Sequence, residues 1–412
     1  MIASPSLTDE VSGLFDLRPD LIQDPYPLYA RMREEAPFLR HRAVISVSRY
    51  RDVERILLDT KNFSNYQYAG SRVDEIVNRA PAEKRQVLRD TMYFFGRWMT
   101  SMDPPEHTRL RGLVHKVFTP RRVAEMRPTI ESIVDKLVAR AREKGTIEFM
   151  DDFAYGLPMF VIGNMLGAEE KDLDRIRDWA TVMATFQGTN MSNFEETHAA
   201  MAEFRAYVRE LVEIRRSSAH TDLLAAMLAV EDQGDRLTDF ELEGMFTVFF
   251  FAGHETTTNL MGNGLLALLR HPDQLRALRS DPSLIDGAVE EILRYDTSVQ
   301  TLHRLPLRDM EVSGEKIPEG TTVRLFMGAA GRDPDRYPNP DAFDIRREDN
   351  RHLSFNIGPH YCLGQALARL EAQIAISAVV REFPRMELAG DAPFRLNMVQ
   401  RRPAKLPIAL HP

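Results

Sequence analysis

Phe355-Asn356-Ile357-Gly358-Pro359-His360-Tyr361-Cys362-Leu363-Gly364 holds the only cysteine of the 412-residue chain and runs directly into an apolar stretch of helical period. A thiolate needs stabilising, and a helix start supplies unpaired N–H groups and the positive end of the dipole, which lower a cysteine's pKa. Gly358 and Pro359 shape a turn, and Gly364, without a Cβ, lets the backbone approach a flat macrocycle closely. The amides that follow Cys362 are placed to donate to sulfur and tune a metal's potential. A lone cysteine is ordinarily a buried inert thiol. The fixed Phe, Gly, His, Cys, Gly spacing instead reads as a haem-thiolate loop.

Composition sets the frame around that loop. The length suffices for a large core, and no Gly/Ser linker, repeat, low-complexity tract or charged tail divides the sequence, so one domain over residues 1–412 is expected. A formal net charge of −8 argues against general nucleic-acid binding. The N-terminus has no basic start followed by an apolar run, and Val248-Phe-Phe-Phe-Ala252 is too short to span a bilayer. The expectation is a soluble, cytoplasmic, monomeric protein without a membrane anchor.

Apolar residues recur every three or four positions through 26–35, 51–59, 122–142, 153–166, 193–216 and 237–269, which predicts helices. Residues 40–46, 309–323 and 386–410 predict small sheets, so the fold class is mainly α with minor β. Segments 62–100 and 184–193 show no clear period and read as binding loops or lids, with Tyr66, Tyr68, Tyr93, Phe94, Phe95 and Phe186 as aromatic surface. Three prolines within 332–343 predict an ordered, non-helical meander ahead of the cysteine loop.

Inside the helix expected over 237–269, Ala252-Gly253-His254-Glu255-Thr256-Thr257-Thr258 interrupts the apolar pattern with polar groups. Glycine costs backbone entropy and threonine hydroxyls compete for carbonyls one turn back, which predicts a local widening or kink. Thr256 and a freed carbonyl are then placed to hold water, with Glu255 linking it to a proton supply. His254 points about 160° away from the Ala252 and Thr256 face and is read as a packing residue. Farther on, Glu291-Ile-Leu-Arg294 sets opposite charges three apart on one helix face, while the neighbouring Glu290 reads as an ordinary surface carboxylate.

Together these stretches resemble the cytochrome P450 superfamily, in its soluble bacterial type, over most of the chain. The resemblance implies the P450 fold, haem b (iron protoporphyrin IX), and Cys362 as the iron ligand. It implies Thr256 and Glu255 as the acid-alcohol pair that serves proton delivery, and a structural network of Glu291, Arg294 and Arg347. Ala342 departs from the pattern, since many relatives place arginine there. Cationic or N–H donors for the haem propionates are His107 and Arg111, one turn apart on a helix begun by Asp103-Pro-Pro-Glu, with Arg304 and His360 added by the resemblance. Phe355, Gly358, Gly364 and Ala252 complete the cofactor-binding set. Pocket candidates are Val248, Phe249, Phe251 and Val299: helical spacing turns Phe249 toward Thr256, whereas the resemblance points to Val248 and Phe251.

A monooxygenase needs two electrons, and no Gly-x-Gly-x-x-Gly fingerprint for a flavin or nicotinamide is present. A separate ferredoxin with its reductase is the implied donor, and Arg109, Lys116, Arg121 and Arg122 offer a candidate basic face for it. The reading is a monooxygenase that hydroxylates or epoxidises an apolar organic molecule with O2. A peroxide-driven peroxygenase or isomerase on the same fold, and a non-enzymatic haem sensor or carrier, are the alternatives.

Overall fold

The computed structural model describes residues 6–65, 70–188, 193–232 and 234–411. It is mainly helical with small sheets, as the period of the sequence predicts. Contacts divide the chain into two units, 1–63 with 128–157 and 256–412, and 64–127 with 158–255. Among the described residues no helix is long and apolar enough to cross a membrane.

The first unit carries the cysteine loop. Its main sheet sets Phe38–His41 antiparallel to Val44–Val47, which runs parallel to Thr322–Phe326, itself antiparallel to Thr301–Pro306. Ile45, Val47, Val323 and Leu325 from its strands pack with Val53, Ile56 and Leu57 of helix Tyr50–Leu58. The N-terminal helices Leu7–Phe15 and Tyr26–Glu35 bury Val11, Leu14, Tyr29 and Met32 with Phe326 and Ala329. The second of these helices ends at Ala36 because the following Pro37 disfavours helical backbone before it. A second sheet joins Glu387–Leu388, Pro407–Ala409 and Thr146–Glu148.

Two predicted helices are each broken by a proline. Residues 122–142 divide into Pro120–Glu125 and Arg127–Lys144, since Pro128 has no N–H and its ring blocks the carbonyl four residues back. Residues 153–166 become a π-helical turn, Met150–Ala154, followed by helix Gly156–Leu166. There Pro158 offers Ala154 no N–H, and the Ala154 carbonyl accepts the Thr258 hydroxyl instead, at 3.2 Å.

The second unit is helical apart from the hairpin Glu231–Asp232 with Asp235–Arg236. Segment 62–100, expected as aperiodic, contains helices Gly70–Arg79 and Arg85–Gly96. Val73 with Val77, and Leu88 with Met92 and Phe95, are buried one face at a time, but each run spans only three turns and Pro81 separates them. Likewise helix Leu173–Gly188 covers the start of 184–193; residues 189–192, Tyr66 and Tyr68 lie outside the described residues. The aromatics expected as ligand surface are largely core. Phe186 stacks on Phe95 at 5.0 Å, Phe95 contacts Trp98 at 4.6 Å, and only Tyr93 is exposed. Such pairs contribute about 0.5–1.5 kcal/mol each beyond their burial.

Candidate active site

The cysteine loop is built from left-handed backbone and short hydrogen bonds. Asn356 (φ 59°) donates its N–H to the Leu353 carbonyl at 2.7 Å and accepts the Ile357 N–H on its own side chain at 2.8 Å. Gly358 (φ 68°) opens a 3₁₀ turn, Gly358–His360, and the Cys362 N–H then returns to the Phe355 carbonyl at 2.8 Å. A side chain at Gly358 would be strained and would press on Leu58. Gly364 caps helix Gln365–Glu382, so Cys362 stands half-buried two residues before the cap of that helix.

What holds this loop is the first of two carboxylates that stand as adjacent letters in the sequence. Glu290 grips Arg369 two-pronged, Nε to Oε1 at 2.6 Å and Nη2 to Oε2 at 2.8 Å, and His352 approaches the same carboxylate at 3.3 Å. Arg369 in turn lies over the Phe355 ring, 4.5 Å from its centroid. Burial opposes ionisation of Glu290, but the hydrogen bonds from Arg369 and His352 overcome it and hold the carboxyl down at about 2. Glu290 is therefore a buttress of the loop, and the expectation of an ordinary surface carboxylate is corrected.

Glu291 faces the other way. It and Arg294 are fully buried and paired through two bonds of 2.7 Å. All five guanidinium N–H groups of Arg294 are used, the other three on the carbonyls of Gly331, Pro340 and Ala342 at 2.8–3.0 Å. Arg347 reaches Glu291 at 3.2 Å and also donates to the Ala342 carbonyl at 3.1 Å. At position 342 this chain contributes a backbone acceptor to two arginines.

The long helix Asp239–Arg270 is unbroken α, without the widening expected at its polar interruption. The hydroxyl of Thr258 goes outward to Ala154 rather than back to its own helix, which removes one cause of distortion. The interruption appears in burial instead. Between Leu242 and Leu268 every side chain is buried except Phe251, Ala252, Gly253 and Thr256, with Ala252 exposed. Glu255 and His254 are buried. Phe249 is packed against Phe118 at 5.3 Å, Val248 is buried, and Phe251 is half-buried against Trp98 at 5.0 Å. Of the pocket candidates, Phe251 and Val299 are thus accessible while Val248 and Phe249 are packed.

The cationic candidates occupy both units. In the first, Arg304 is buried in the main sheet opposite Val323 and donates Nη1 to the His303 carbonyl at 2.8 Å, and His360 is half-buried in the cysteine loop. In the second, His107 and Arg111 share one face of helix Glu106–Val117. Burial, with Arg111 adding to it, pushes the His107 imidazole down to about 4, so it stands neutral at pH 7 as an N–H donor beside a permanent cation. Three of the four residues of the basic face suggested for a redox partner are already compensated. Arg109 pairs with Asp235 and Glu241, Lys116 with Asp232, and Arg121 with Glu125.

These residues fit a haem. A Cβ built on Gly364 meets nothing within 4 Å, leaving room against the backbone beside Cys362. Within the first unit, a soft sulfur ligand at a helix start, the buried Arg304 guanidinium and a helix face that opens at Thr256 supply a thiolate, an anion contact and a cavity wall.

The cytochrome P450 family profile matches residues 38–393. The chain is 40% identical to cytochrome P450 107B1 of Saccharopolyspora erythraea, covering 97% of this chain and 98% of that one. It is 37% identical to the vitamin D(3) 25-hydroxylase of Pseudonocardia autotrophica, covering 95% and 94% respectively. Among solved structures it resembles P450BioI in complex with hexadec-9Z-enoic acid ligated acyl carrier protein, with a TM-score of 0.88, 33% identity, and 95% of this chain and 99% of that one covered. Fold, cofactor class and relatives agree: the chain belongs to the cytochrome P450 family and is a haem b monooxygenase.

Proposed function

We propose that this enzyme hydroxylates or epoxidises a bulky, predominantly apolar small molecule, using O2 and two electrons from a separate ferredoxin and its reductase. The observation that carries the reading is the opening of the long buried helix at Phe251, Ala252, Gly253 and Thr256. Three of these positions are small or apolar and one carries a hydroxyl, the combination needed to seat an apolar ligand beside a site of proton transfer. A hydroxylase of a secosteroid among the relatives supports a substrate of that bulk.

When bound, the haem supplies dioxygen activation by two-electron chemistry. Cys362 holds the metal from the helix start as a thiolate, which donates electron density. Phe355, Gly358 and Gly364 shape the seat, with Ala252 on the long helix, and His107, Arg111, Arg304 and His360 hold the propionates. Thr256 orders water and holds a proton at Oγ1, and Glu255 relays protons toward it. Val299 and Phe251 contact the substrate, backed by Val248 and Phe249. The whole chain works as one catalytic domain, monomeric and cytoplasmic.

The test has two arms. Reduced, CO-bound wild type should show the red-shifted thiolate band, and Cys362→Ser should lose it; a mutant that keeps the band would place the ligand elsewhere. The ferric enzyme titrated with vitamin D3, testosterone and hexadec-9Z-enoic acid should show a Soret shift with a rigid, bulky member. Turnover with the reductase pair should then yield an oxygenated product, and its absence with every shifting compound would favour a carrier.

A further inference from the structure

Thr256 is the only accessible side chain of the long helix between His254 and Leu268, and Val299 is the only accessible one in residues 296–301. The residue between them in space is Ser298, buried, whose Oγ donates to the Thr256 carbonyl at 2.9 Å. The Ser298 carbonyl accepts the Arg401 N–H at 2.9 Å, and Gln300 donates to the Val399 carbonyl at 2.8 Å. Asn263, which shares the Thr256 face of the helix, donates to the carbonyls of Asp296 and Arg401 at 3.0 and 2.9 Å. Segment 296–300 is thereby hydrogen-bonded on one side to 399–401 and latched on the other to the helix backbone.

We propose that Ser298 is a positioning residue that sets ligand selectivity: its hydroxyl on the Thr256 carbonyl fixes the spacing between the wall at Val299 and the helix at Thr256. The inference rests on the reading that Thr256 and Val299 face the substrate. Its physical basis is the carbonyl's second lone pair. A side-chain donor can use it while the helical N–H of Leu260 keeps the first, so the loop is joined to the helix without opening a turn. No other side chain needs to move for the latch to break, since alanine fits wherever serine does. Loss of the bond frees Val299 to swing rather than collapsing the core.

The holoenzyme tests this with two iron-ligating azoles, imidazole and 4-phenylimidazole, which differ by one ring. Ser298→Ala should lower the preference for the larger azole roughly fivefold, the scale of one neutral hydrogen bond. Hydrogen exchange at the Gln300 and Arg401 amides should quicken in the resting variant. Ser298→Thr, which keeps the hydroxyl, should restore both within about twofold. Unchanged selectivity and exchange in Ser298→Ala, or a Ser298→Thr variant that behaves like the alanine, would overturn the latch. Thr256→Ala keeps its carbonyl, and with it the acceptor of the latch. If that variant proves fully coupled in turnover, the proton-delivery reading falls and the latch stands. If it uncouples while Ser298→Ala changes nothing, the latch falls and the reading stands.

Discussion

Arg369 covers the Phe355 ring while its Nε and Nη2 clasp Glu290, so one guanidinium bridges the loop that presents Cys362 and helix Ile285–Tyr295. The cation–π face and the bidentate carboxylate use different surfaces of the same planar group. Lysine cannot satisfy both.

That arrangement makes the loop acid-sensitive in a defined window. Glu290 is depressed from 4.5 to about 2 in the native state, so the unfolded chain binds its proton first as pH falls. Its contribution is present in full above about pH 4.5 and is lost as pH drops toward about 2, amounting to at most about 3 kcal/mol. Acid titration followed by circular dichroism should show Glu290→Gln with a flatter pH dependence across that range. An unchanged profile would mean that Glu290 is not ionised against Arg369.

Glu291→Ala should be far more damaging, because it strands two arginines, one of them fully buried. Breaking one partner of a buried pair costs about 3–5 kcal/mol. Denaturant unfolding should report it as a shift in midpoint. A loss below about 1 kcal/mol, the scale of an exposed pair, would contradict the burial of this network.

Thr256→Ala should divert electrons to hydrogen peroxide, since the accessible hydroxyl on that face of the helix is gone. Peroxide per electron pair consumed is the measurement. Full coupling in the variant would take Thr256 out of proton delivery.

Reversal at Arg109 should disturb its own unit more than partner docking, because Asp235 and Glu241 already compensate it. Arg109→Glu should lower thermal stability and shift the salt dependence of reduction by a ferredoxin only slightly. A steep flattening of that dependence would show that the partner displaces the internal acids.

The legible part of this protein was whatever chemistry ties to spacing along the chain. The cysteine loop, the polar break in the long helix and the Glu291 and Arg294 pair each fit within ten residues, and each requires particular residue types. What escaped was long-range or carried by the backbone. Glu290 and Arg369 are 79 positions apart, and nothing beside either names the other. The Ala342 and Thr256 carbonyls act through atoms every residue has. Arg109 and Lys116 looked like a free basic face because Asp232 and Asp235 come to them from a hairpin more than a hundred residues later. The helices of 70–96 were hidden by shortness, each offering too few turns for its period to stand out.

The long helix also determines where this enzyme can be redesigned. From Leu242 to Leu268 a change of side-chain volume disturbs packing almost anywhere, and only Phe251, Ala252, Gly253 and Thr256 open onto space. Of these, Thr256 carries the proposed chemistry, and a Cβ at Gly253 would meet Ile162 only at ordinary contact distance. A substrate-altering library on this helix therefore has three productive addresses, Phe251, Ala252 and Gly253, and a screen randomising its other positions would mostly be sampling folding.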